Sequence, residues 1–179
     1  MANTFTLIEA RTLSSATASI ELTNIPQTYT DLKLAYSLRS ARSGSTRDDL
    51  KITINSDTGS NYSGKRAYAA DGTNTNSQGF SGAPGDQLFP GAIPASNSTG
   101  SVFSNSEMYF TNYSTVANKK AISCDFTYEN NVADNNITGF AAMLFNNTTS
   151  GITTLKLEIL SGNNFTQHSS VYLYGIKNS

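Results

Sequence analysis

Tryptophan is absent from this 179-residue chain, and histidine and cysteine each occur once. A lone cysteine forms no internal disulfide. The alternating run Ile122, Cys124, Phe126, Tyr128 reads Cys124 as a small buried hydrophobe. Zinc sites draw several ligands from Cys and His, and one of each does not supply them. His168, in Phe165-Thr166-Gln167-His168-Ser169, has no nucleophile motif around it and is expected in an exposed turn. Charge is scarce as well: 14% of residues are charged and the net charge is −1. A strongly basic surface for wrapping nucleic acid is therefore not expected. Long hydrophobic runs are missing, and no stretch approaches the roughly 18 apolar residues of a membrane helix. The opening MANTFTLIEARTLSS has no basic segment followed by an apolar core. No secretory signal is visible there, so synthesis in a cytoplasm is expected. The Asn-x-Ser/Thr sequons (Asn61, Asn97, Asn112, Asn136, Asn164) follow from a composition rich in those residues.

Motifs that carry chemistry are equally thin. Asp48-Asp49, Asp57, Asp71, Asp86 and Glu107 fall in or beside expected loops, and a glycosidase pair is assembled from them only on paper. Asn55-x-Asp57-x-Gly59-x-Asn61 begins like a calcium loop, but Arg66 stands where the motif needs a bidentate Glu. A turn shaped by Asp57 and Gly59 is the better reading. No Walker loop and no dinucleotide-binding glycine pattern follows a strand. The sequence assigns no catalytic residue, no cofactor and no metal, and an enzyme is not expected.

What the chain does have is Asn, Ser, Thr and Gly around short alternating apolar runs, a mixture that favours strands and turns over helices. The clearest stretch is Thr30–Ser63. Leu32, Leu34, Tyr36 and Leu38 alternate with Lys33, Ala35, Ser37 and Arg39; after a turn region, Leu50, Ile52 and Ile54 alternate with polar residues. Side chains of a strand point to opposite faces with period two, so the stretch reads as a pair of antiparallel strands with one wet face. Lys33, Arg39, Arg42 and Arg47 are placed on that face or in the connection. Further strands are expected at Phe5–Glu9, Ile20–Leu22, Lys65–Ala70, Val102-Phe103, Met108–Phe110, Ala121–Glu129, Leu155–Ile159 and Ser170–Ile176. Ile137–Phe145 is mostly apolar without alternation, which reads as a buried strand.

Asp71–Gly100 breaks the pattern. It holds six of the 13 glycines and three of the four prolines, and is expected as one long loop. A solvated linker has little use for Phe80, Leu88, Phe89 and Ile93. They either pack on their own domain or reach a neighbouring subunit. Together, eight to ten strands without a convincing helix predict one all-β domain over 1–179, an antiparallel sandwich of jelly-roll type with a Gly/Pro/Asn/Ser-rich loop at 71–100.

Several segments also carry a resemblance. TYTDLKLAYSLRS (28–40), INSDTGSNYS (54–63), TNYS (111–114) and NFTQHSSVYLYGIK (164–177) resemble small virion proteins of tailed bacteriophages. The resemblance spans nearly the whole chain outside 71–100. It implies a β-sandwich in the virion, either a capsid decoration (cement) protein or a tail-associated one. In the first case the partners are the major capsid protein and the chain itself, as a homotrimer, with no nucleic acid and no membrane. The candidate interface residues are then Phe80, Leu88, Phe89, Ile93, Arg39, Arg42 and Arg47. A tail-tip or receptor-binding component that contacts host glycans, and a free carbohydrate-binding module, are the alternatives.

Overall fold

The computed structural model describes residues 4–70, 74–81, 87–130 and 136–177. The described residues form twelve strands and no helix. The strands are β1 (Phe5–Thr12), β2 (Ser19–Leu22), β3 (Asp31–Ser37), β4 (Arg47–Ile54), β5 (Tyr62–Ala70) and β6 (Asn74–Ser81). They continue as β7 (Ala92–Pro94), β8 (Asn105–Phe110), β9 (Lys120–Tyr128), β10 (Ile137–Phe145), β11 (Leu155–Ile159) and β12 (Ser170–Ile176). An eight-stranded sheet runs β1-β12-β3-β8-β9-β10-β5-β6, and a four-stranded sheet runs β2-β11-β4-β7.

The pairings are nested. β5 pairs β6, β4 pairs β7, β3 pairs β8, β2 pairs β11 and β1 pairs β12, each antiparallel. Such nesting is one long antiparallel ribbon folded back on itself, and rolling it into two sheets gives the jelly roll. β9 and β10 are an added hairpin that widens the large sheet between β8 and β5.

Thr30–Ser63 is the main correction. β3 and β4 are strands, yet they do not pair; β3 lies between β12 and β8, and β4 between β11 and β7. Each run has a single apolar face. Facing each other from opposite sheets buries Leu32, Leu34 and Tyr36 together with Leu50, Ile52 and Ile54, whereas side-by-side pairing would leave that shared face needing a third layer. The connection crosses between sheets, with Leu38 fully buried and the Ser40 N–H bonded to the Pro94 carbonyl at 2.8 Å.

The described part of 71–100 also holds more strand than its composition implies. It supplies β6 and β7, and Leu88 exchanges both backbone hydrogen bonds with Ile52 at 2.9 and 3.0 Å. Residues 71–73 and 82–86 lie outside the described set. Val102-Phe103 is irregular instead of a strand. Ile137–Phe145 is a strand buried on one face only: Ala141, Met143 and Phe145 point inward, while Phe140 on the other face is 63% exposed.

Candidate functional site

The sequence candidates divide into two groups by burial. Leu88 and Ile93 are in the core, at 0% and 1% exposure, so they pack on their own domain and are not available to a partner. Arg39 is likewise buried, not on a wet face. Its guanidinium donates to the carbonyls of Thr99 (2.9 Å), Val102 (2.8 Å), Ser98 (3.0 Å) and Ser96 (3.4 Å), pinning that irregular segment to the sandwich. Burial draws its pKa below the ordinary arginine value. The strand alternation that predicted a wet Arg39 ends at Ser37, where the chain turns towards the other sheet.

Arg42, Arg47, Phe80 and Phe89 come together. They line two adjoining cavities of about 280 and 310 Å³ along the side where β5 and β6 face β4, and Asp49, Arg66 and Gln78 border both. The apolar end holds Phe80 and Phe89, packed edge to face with ring centroids 5.2 Å apart, beside Leu160, which is half exposed. At the polar end, Arg66 pairs with Asp49 at 2.8 Å, donates to Gln78 at 2.9 Å and lies 5.5 Å from the Tyr68 ring centre. Arg42 makes a looser 3.4 Å contact with Asp48. Asp48 is itself buried and accepts from the hydroxyls of Ser40 (3.0 Å) and Ser161 (2.5 Å). The guanidinium groups of Arg42, Arg47 and Arg66 thus share this end with the carboxylates of Asp48 and Asp49. Arg66 entered the sequence reading only as the residue that breaks a calcium motif. Its place in the cleft depends on β5 lying opposite β4, which no local pattern states.

A second concave surface lies on the outer face of the large sheet. It is a trough of about 710 Å³. Ala35, Glu107, Asp125, Phe140 and Ala67 stand in register across β3, β8, β9, β10 and β5. Beside them runs a second row, Asn105, Thr127, Thr138, Ala69 and Thr75. Glu107 is therefore mid-strand, not in a loop, and Lys33 pairs with it at 2.6 Å. The sequence missed Phe140, because its run lacks alternation. The signal was there in another form: a nine-residue apolar strand in a two-layer fold must show apolar side chains on its uncovered face. Of six exposed large hydrophobics among the described residues, four (Phe5, Leu7, Phe140 and Tyr172) belong to β1, β10 and β12 of this sheet.

The remaining candidates are structural. Asp57 accepts from the Gly59 N–H (2.8 Å) and from the side-chain amides of Asn61 (2.9 Å) and Asn147 (3.1 Å). Burial works against its charge, but these donors outweigh that and hold the carboxyl below its ordinary value. These donors shape the connection between β4 and β5 around the Asp57 carboxylate. Among the described residues no group of three or more His, Cys, Asp and Glu side chains is placed to hold a metal. His168 is exposed, in a turn at φ 70°. Cys124 is buried at 2% exposure, 3.5 Å from the Tyr36 hydroxyl.

No family model and no curated protein matches the chain. Among solved structures, Scytalido-glutamic peptidase with a peptide-based transition state analog aligns with 93% of this chain and 66% of its own. The identity is 9% and the TM-score 0.27, too low to carry any argument about fold or activity.

Proposed function

We propose that this chain is a non-enzymatic virion structural protein, a capsid decoration protein that docks on the major capsid lattice and braces the shell. The supporting observation is the side cleft. Arginine and aromatic residues dominate the energetics of protein interfaces, where a few side chains in a partly dry pocket carry most of the binding. Here Arg42, Arg47 and Arg66 adjoin Phe80, Phe89 and Leu160 on one continuous surface. Four of these residues (Arg42, Arg47, Phe80 and Phe89) are among the seven that the sequence offers as partner contacts; the other three are buried. The fold suits the role: a lattice is bound by repetition of one rigid patch, and Arg47, Arg66 and Phe80 hold this one on paired strands, with Arg42, Phe89 and Leu160 on the adjoining connections.

Locating the protein in an electron-microscopy map of the intact particle tests this. A decoration protein occupies lattice positions in hundreds of copies, an order of magnitude set by closed shell symmetry. Density confined to the tail, in about a dozen copies or fewer, would instead make it a tail component.

A further inference from the structure

The side cleft leaves the trough on the outer face without a role, and the trough breaks a rule of sheet design. Glu107 and Asp125 stand directly opposite each other on β8 and β9. Like charges in that position destabilise a sheet. Lys33 offsets Glu107, but among the described residues no cation pairs with Asp125. An uncompensated local conflict of this kind marks a functional surface more often than a structural one. The conflict sits beside another, the 63% exposed ring of Phe140, next to Asp125 in the same row.

The surroundings define what fits. β8, β9, β10 and β5 are each paired on both sides, so their backbone groups are committed to the ladder. A polypeptide laid there finds no free edge to extend, and peptide binding by strand addition is closed. Only side chains can hold an occupant. They offer carboxylate acceptors (Glu107, Asp125), amides (Asn76, Asn105) and hydroxyls such as Thr138, around the exposed ring of Phe140 and a floor of alanines. That set matches a polyhydroxyl ligand: paired hydroxyls donate to a carboxylate, and a face of C–H groups lies on the ring. The volume is within the range of small-molecule sites. The uncompensated Asp125 carboxylate disfavours a sialylated or sulfated chain. We infer that the trough binds a neutral glycan, with Phe140 as the stacking platform and Asp125 as the main hydroxyl acceptor.

The inference is independent of capsid docking, and its test uses the purified full chain. The probe is an array of neutral, sialylated and sulfated glycans, followed by titration calorimetry with the neutral glycans retained. Retention restricted to neutral glycans is expected, weakened about tenfold or more by Phe140→Ala and by Asp125→Asn. Both variants should keep the wild-type thermal transition within a few degrees, since both sites are on the exposed face. Arg42→Glu, in the side cleft, should bind glycan as the wild type does. The inference fails if no neutral glycan is retained, if anionic glycans are preferred, or if neither trough variant weakens binding. Capture of an arginine-rich peptide in place of any glycan would also overturn it and make the carboxylates a protein-docking feature.

Discussion

Arg39 and Arg42 lie three residues apart and have opposite fates. The first is buried against four carbonyls, and the second is exposed at the mouth of the cleft. Nothing in SLRSARS distinguishes them, because the difference arises where the chain leaves one sheet for the other. Cys124 is the contrary case, legible from alternation alone. Burial pushes its thiol up to about 12, against a smaller opposing pull from the Tyr36 hydroxyl. Since the folded value is above the unfolded one of about 8.5, this group contributes stability below that pH and loses it as pH rises towards the folded value. A thiolate is the reactive form, so modification must pass through unfolding. Iodoacetamide at about pH 8, near the free thiol's own value, should leave the native protein unlabelled by mass spectrometry and label it fully in denaturing guanidinium chloride. Rapid native labelling would show that the β3–β9 contact is open.

At the level of elements, alternation located most strands but not their partners. Period-two patterning states which residues share a face; it does not state which sheet that face belongs to, and so β3 and β4 read as a pair. β6 and β7 were hidden for another reason. Their sequences, NTNSQGFS and AIP, are too polar or too short to show a period, and they exist because β5 and β4 offer edges to pair with. The two apolar neighbours in this region should separate cleanly by stability. Leu88 is fully buried against β4, so Leu88→Ala should cost about 2–5 kcal/mol. Phe89 is only partly buried at the cleft, and Phe89→Ala should cost about 1 kcal/mol. Urea denaturation of the two variants measures both. Equal losses would mean that Phe89 is core, and would remove it from the interface.

For the whole molecule, the all-β class and the sandwich follow from composition and turn spacing, while the two concave surfaces do not. The cleft requires β5 opposite β4, and the trough requires five strands in register, relations set by rolling the ribbon. The docking role therefore has to be tested on the assembled fold. If the side cleft seats on the capsid lattice, its three guanidinium groups help select the partner, and reversing the charge of two of them should weaken attachment without unfolding the chain. Arg42→Glu and Arg47→Glu together change the cleft by four charge units, two for each arginine replaced by glutamate. Rim charges act mainly on association rate and salt dependence. Added to undecorated shells at low ionic strength, the double variant should therefore bind more slowly and at lower occupancy than the wild type. The gap should narrow as salt shortens the screening length below about 10 Å. A thermal transition close to that of the wild type excludes a folding defect. Phe89→Ala should instead speed dissociation with little effect of salt, because an apolar anchor acts after contact is made. Equal occupancy for all three proteins would place the docking surface elsewhere on the molecule, with the outer face of the large sheet next in line.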